Sequence, residues 1–303
     1  MKKINKIVVG SSLTPASDPV VAAAFEIAER IGCELHLVHA YPMPVVVGET
    51  AFGGAALGGA VTQPPVSAQE KYYREELDGQ LERLGADPDR ITETTLAIGT
   101  AHHLLLETAE EAGADLILLG PSESKGPLAP LLGSTADRVL RKARRPILVV
   151  REGFSLPVER VLAPVDLSPL SEESLERGLE VLEELEGSKP AKVEGLFVLS
   201  RIDREGSAHF TPDQVDRFAQ EELERFLGRV GERYGGTVEP ALRSGVPREE
   251  IVEHLAQNPA DLLIVGTHGR SGFERFLLGS VAADVLRHVD VSVLAVPPEG
   301  KKA

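Results

Sequence analysis

Hydrophobic positions along the 303-residue chain fall into two kinds of stretch. Short runs of β-branched and aliphatic residues alternate with longer segments whose apolar residues recur at i, i+3 and i+4. In the C-terminal half the short runs predict strands at 160–165, 194–199, 237–243, 262–266 and 291–296. Helical spacing predicts helices at 171–185, 212–234 and 248–257, with a last helix opening at Ser280 and running to about Arg287. In the N-terminal half the strands are expected at 6–10, 34–40, 91–98, 116–120 and 146–150. Such alternation argues a parallel sheet with helices on both faces.

The two halves are copies of one another. "GADLILLG" (113–120) aligns with "PADLLIVG" (259–266) at an offset of 146, and the same offset joins the two "LLGS" stretches at 131–134 and 277–280. "IVVGSSLTP" (7–15) aligns with "VLAPVDLSP" (161–169) at 154, so the first copy is eight residues longer between its first and third strands. A period this long is not a solenoid repeat and signals two homologous domains, expected at 1–152 and 157–298. The extra residues are placed in the Gly- and Pro-broken stretch 42–66, read as a mobile loop, with Phe52 and Leu57 leaving open a lid or partner-binding role.

Composition narrows the function. At 42% hydrophobic the chain can fill two cores. A formal net charge of -15, with Lys and Arg scattered, disfavours nucleic acid and anionic membrane surfaces as partners. The single cysteine, Cys33, rules out an intrachain disulfide framework and fits a cytoplasmic setting. No segment reaches the ~20 apolar residues of a membrane helix.

Candidate chemistry gathers in "GTHGRSGFERFLLGSV" (266–281). Gly266 ends a predicted strand, and Gly279–Ser280 precede a predicted helix, whose N-terminal amides attract phosphate. Glycine at 279 lets a phosphate approach without a Cβ, Gly269 permits a positive φ, and Ser280 offers a hydroxyl or caps its own helix. Arg270, Arg275 and His268 lie close by in sequence. The chain has no G-x-x-x-x-G-K-[ST] P-loop and no strand–G-x-G-x-x-G start.

The pattern G-x2-G-x9-G-[ST], filled by Gly266, Gly269, Gly279 and Ser280, resembles the ATP-binding signature of the universal stress protein A family. "VLAPVDLS" (161–168), "SGVP" (244–247) and "SVLAVP" (292–297) strengthen the resemblance, which covers nearly the whole chain. It implies an α/β fold of two tandem doubly wound domains, each a five-stranded parallel sheet flanked by helices (adenine nucleotide alpha hydrolase-like). In single-domain relatives the final strands of two protomers pair. Here "RPILVV" and "VSVLAV" would pair within one chain as an internal pseudo-dimer. The resemblance also implies that Asp166 faces the ribose, that Pro164, Val198 and Val265 border the adenine, and that Gly266, Gly269, Gly279, Ser280 and Val281 hold ribose and phosphates. Asp166 has a second reading as a turn residue before Leu-Ser-Pro.

The first copy carries Ser12 in place of Asp166 and Glu123 in place of Gly269 but keeps Gly120, Gly133, Ser134 and Thr135, so one good site is expected, in the second half. No catalytic residue and no metal ligand is assigned; His102 and His103, adjacent on a helix, are poor joint ligands. The expected function is a regulatory protein binding ATP, ADP or AMP, with Mg²⁺ arriving on the phosphates. A slow ATP hydrolase or adenylyl-transferring enzyme, or a partner-binding protein without nucleotide, are the alternatives. A protein partner of unknown identity and further homo-oligomerisation stay open.

Overall fold

The computed structural model describes residues 3–42, 66–120, 132–189, 192–205, 210–267 and 279–298. Among these, the first half runs β1 (Lys6–Gly10), α1 (Asp18–Ile31), β2 (Glu34–Tyr41), α2 (Val66–Leu84), β3 (Ile91–Ile98), α3 (Ala101–Glu111), β4 (Leu116–Leu119), α4 (Ser134–Lys142) and β5 (Ile147–Val149). The second half repeats the order with β6 (Arg160–Val165), α5 (Pro169–Glu186), β7 (Lys192–Leu199), α6 (Arg201–Glu205), α7 (Pro212–Tyr234), β8 (Glu239–Ser244), α8 (Pro247–Gln257), β9 (Leu262–Gly266), α9 (Ser280–His288) and β10 (Ser292–Val296).

Every expected strand is present to within two residues. The helix starts differ because α5 and α8 open on Pro169 and Pro247. Proline suits the first helical position, where its missing N–H has no intrahelical acceptor and its φ is already helical. The five-residue α6 is too short to show a period and was not anticipated. Local signals close the longer helices: Thr211 and Gln214 form a reciprocal capping box at the start of α7, and Gly187 and Gly235 end α5 and α7 at φ 70.

The strands form one sheet in the order β3-β2-β1-β4-β5-β10-β9-β6-β7-β8. Pairing is parallel within each half and antiparallel at the centre, where Val149, Leu148 and Ile147 face Val293, Leu294 and Ala295. Each final strand would otherwise expose an edge of unpaired amides and carbonyls. The seam covers both edges at once, so the internal pseudo-dimer expected from the sequence is present.

Alternate residues point to opposite faces, and each face carries one core that runs through both halves. Ile7, Val9, Leu118, Leu148, Ile264 and Leu294 pack on the side of α1, α2, α5 and α7. Val8, Ile117, Ile147, Leu263, Val293 and Ala295 pack on the side of α3, α4, α8 and α9. Burial on both faces explains why these strands read as continuous apolar runs.

Because both cores cross the seam, the halves should unfold together. Leu294→Ala should cost about 2–5 kcal/mol, the range for truncating a buried leucine. Urea unfolding followed by circular dichroism should keep a single transition. Two separated transitions would show that the halves are independent.

Candidate functional site

In a doubly wound sheet, ligands bind at the carboxyl ends of the strands where the chain order reverses. In the second half that point lies between β6 and β9. Their parallel ladder covers only Val161↔Leu262 and Leu162↔Leu263, whereas β6 stays paired with β7 through Pro164↔Leu196 and Val165↔Phe197. The backbone orientation gives the reason. Arg160 O accepts from Asp261 N at 2.9 Å, so Arg160 faces β9, and by alternation so do Leu162 and Pro164. Proline has no N–H to give. Its missing donor falls on the β9 side, where the β6–β9 ladder ends.

The chain leaves β6 through a tight turn. Asp166 Oδ1 accepts from Ser168 N at 2.9 Å, Asp166 N donates to Ser171 Oγ at 3.3 Å, and Leu167 between them is left-handed at φ 62. Ser168 caps α5 by accepting from Ser171 N at 3.2 Å. One carboxylate oxygen of Asp166 therefore organises the turn, and the residue is half-buried beside the crevice. Leu13 has the same conformation at φ 63 in the first copy. Leucine gives no sequence signal for it, since left-handed residues are ordinarily Gly, Asn or Asp.

On the far side, Val265 is buried and Gly266 is half-buried at the end of β9. The next residue, Thr267, was not singled out from the sequence, yet it ties the wall together. Thr267 is buried; its N–H donates to Val296 O at 3.0 Å and its carbonyl accepts from Gly279 N at 2.8 Å. Gly279 has φ -53 and ψ 142, open to any residue, so its glycine contributes only the absent Cβ. Its carbonyl accepts from Ala283 N at 2.8 Å and starts α9. The amides of Ser280, Val281 and Ala282, in the first turn, have no intrahelical acceptor. Val281 is 40% exposed there.

Pro164, Asp166, Val198, Val265 and Gly266 thus stand at the ends of three adjacent strands, with Gly279, Ser280 and Val281 fastened to them by Thr267. Gly269, His268, Arg270, Arg275 and the side chain of Ser280 lie outside the described residues, as do Glu123, Phe52 and Leu57.

The universal stress protein family model matches residues 3–151 and again 157–297. The chain belongs to the universal stress protein family. A universal stress protein of Mycobacterium tuberculosis (strain H37Rv) is 31% identical over 229 residues, covering 70% of this chain and 71% of the relative. One from Methanocaldococcus jannaschii is 30% identical over 159 residues, covering 51% of this chain and 90% of the relative. Two solved structures share the fold over 98% of this chain: a putative universal stress protein from Pseudomonas aeruginosa (18% identity, TM-score 0.64, 94% of that chain) and a universal stress protein from Archaeoglobus fulgidus (17%, 0.61, 97%). A universal stress protein in complex with cAMP also matches, over 49% of this chain and 98% of its own, at 24% identity and TM-score 0.34, too slight a likeness to bear on the ligand here.

In this tandem universal stress protein the first half keeps a cleft of about 470 Å³ at the equivalent place, lined by Gly10, Ser12, His39, Gly120, Gly133 and Ser134 among others. Its floor is built differently. Ser12 Oγ is engaged by Thr14 Oγ1 at 2.8 Å and Ser17 Oγ at 3.1 Å. Beneath them, fully buried Gln80 accepts from Ser11 Oγ at 2.7 Å and donates to Ser17 Oγ at 3.0 Å and Asp18 Oδ1 at 2.8 Å. A network of hydroxyls and Gln80, anchored on the Asp18 carboxylate, thus occupies the place of the Asp166 turn.

The helices that open at the two crevices are bridged across the seam. Asp137 in α4 accepts from Arg141 at 2.9 and 3.2 Å and from Arg287 of α9 at 3.0 Å. Hydrogen bonding to Arg141, followed by the charges of Arg141 and Arg287, holds its carboxyl below the ordinary 3.8 against a desolvation cost. Ala283 stands where an equivalent acid would be in α9, so the bridge is one-sided.

A carboxyl whose folded pKa is depressed adds stability that is complete above its unfolded value and is lost as pH falls through the lower folded value. Asp137→Asn should therefore cost about 1 kcal/mol at neutral pH, the upper end for a partly exposed pair. The difference from wild type should shrink below pH 3.8. Urea unfolding across that range measures it, and a gap independent of pH would show that the charge is not what Asp137 supplies.

Proposed function

We propose that the second half binds an adenine nucleotide and that the protein works by occupancy rather than turnover. The observation that supports this reading is the β6–β9 ladder that stops at Leu162↔Leu263, with the first turn of α9 fastened to the end of β9 through Thr267. Apolar Pro164, Val198 and Val265 supply walls for a base. Asp166, at the end of β6, accepts from ribose hydroxyls. Gly266, Gly269, Gly279, Ser280 and Val281 hold the phosphates, where a helix N-terminus favours negative charge. Mg²⁺ comes with the phosphates when bound and spreads their charge.

Phosphoryl transfer needs a positioned nucleophile and charge compensation at the transferring group. Asp166 is committed to its turn, and no other described residue of the crevice is an acid or base, which supports at most slow hydrolysis. Occupancy changes the wall that contains α9, and the Arg287–Asp137 bridge passes that change to α4 and the first-half cleft. The ligand shifts the equilibrium only as far as it prefers one state. The sparse use of cysteine supports a cytoplasmic setting, and a protein partner reading the first half completes the proposal. Among the described residues no helix is long and apolar enough to cross a membrane.

The reading is tested by denaturing freshly purified protein and identifying released nucleotide by mass spectrometry, then titrating ATP calorimetrically. Asp166→Asn keeps an acceptor for the Ser168 amide but removes the charge. It should weaken ATP at least about tenfold, or 1.4 kcal/mol. Gly279→Val should weaken it further. ATP affinity unchanged in both variants removes the second-half site.

A further inference from the structure

Basic residues that are scattered over most of the chain crowd together in one place. Residues 138–145 contain Arg138, Arg141, Lys142, Arg144 and Arg145 with no acid among them, in a chain of net charge -15. The equivalent stretch of the second copy, 284–291, has one arginine, one histidine and two aspartates. The cluster is thus a property of the first copy and not of the shared fold. Arg141 is spent on Asp137. Among the described residues, none of Arg138, Lys142, Arg144 and Arg145 has a carboxylate at ion-pair distance, whereas most other arginines of the chain have one.

These side chains border a cleft. A space of about 360 Å³ lies between the C-terminal turns of α3 and α4, with Lys142, Arg144 and Arg145 on one side and Leu106, Ala109 and Ile117 on the other. Glu110 is the one acid on its lining. Among the described residues the Nε of Arg145 is buried with no hydrogen-bond acceptor. The residue itself is half-buried on the lining of the cleft, and no carboxylate faces its guanidinium among the described residues. The positive field reaches beyond the cleft: His102 on α3 is harder to protonate than an ordinary histidine, first through desolvation and then through Arg138 and Lys142.

We propose that this cleft is a second binding site, for a compact multivalent oxyanion, either a polyphosphate or a small polycarboxylate. Arg145 makes the central contact through its planar fork, which matches two oxygens of such a group. Lys142 and Arg144 add positive charge from the rim. Leu106, Ala109 and Ile117 exclude water from one side, which strengthens the charge interactions. Glu110 sets an upper limit on affinity by repelling the same ligand. The site is independent of the nucleotide crevice, whose walls share none of these residues.

Calorimetric titration of the full chain at low ionic strength, with inorganic pyrophosphate and separately with citrate, tests the assignment. Binding of one anion per chain is expected, at least tenfold weaker in Arg145→Ala, several-fold weaker in Lys142→Ala or Arg144→Ala, and several-fold tighter in Glu110→Gln. The stronger of the two anions identifies phosphate or carboxylate as the preferred class. The absence of heat with both anions overturns the proposal, as does an affinity that Arg145→Ala leaves intact. If Arg145→Ala fails to fold by circular dichroism, Arg145→Lys and Glu110→Gln decide. A weaker site in the first and a tighter one in the second support the assignment, and an affinity unmoved by either sinks it. Lower thermal stability in the basic variants with no anion binding would show that these side chains serve only the C-terminal dipoles of α3 and α4.

Discussion

The antiparallel seam between β5 and β10 is the constraint on which the rest of the molecule depends. Each final strand is short and apolar on both faces, and each alone would be an adhesive edge. Joining them converts two edges into the centre of one sheet and lets each core extend through both copies. The seam also brings α4 and α9 together, so Arg287 can reach Asp137. A duplicated chain in this way obtains within one molecule what two separate chains would obtain by association, with no dependence on concentration.

Duplication has let the two crevices diverge while their frames stayed the same. Both copies leave the first strand through a left-handed leucine, Leu13 or Leu167. Such a conformation is strained for a branched side chain, and local hydrogen bonds must hold it. The second copy holds it with the Asp166 carboxylate and the first with serine hydroxyls backed by buried Gln80. The turn thus outlasts the chemistry that supports it. Asp166 is accordingly a residue with two demands on it, the turn and the proposed ribose contact.

Much of the fold was legible in the sequence because burial on both faces writes itself as uninterrupted Val, Leu and Ile runs. The internal offset of 146 then fixed the equivalence of the halves. Pairing of the last strands was legible only through the family resemblance. Of the candidate site, the strand ends and the start of α9 were readable from glycines and prolines. Thr267 was not, because its contribution is a backbone carbonyl and amide that any residue provides. Gln80 was not either, since a buried polar partner from another helix leaves no local pattern. The Arg287–Asp137 bridge joins residues 150 positions apart, a distance over which charge order along the chain carries no information.

The central reversal has a geometric consequence for what this protein can touch. All strands of the first half run opposite to all strands of the second, so the two carboxyl-end crevices open on opposite rims of the same sheet. Anything seated over one rim is shielded from the other by the full height of the sheet. The two rims can therefore be reached independently, and what joins them is the packed interior together with the Arg287–Asp137 bridge.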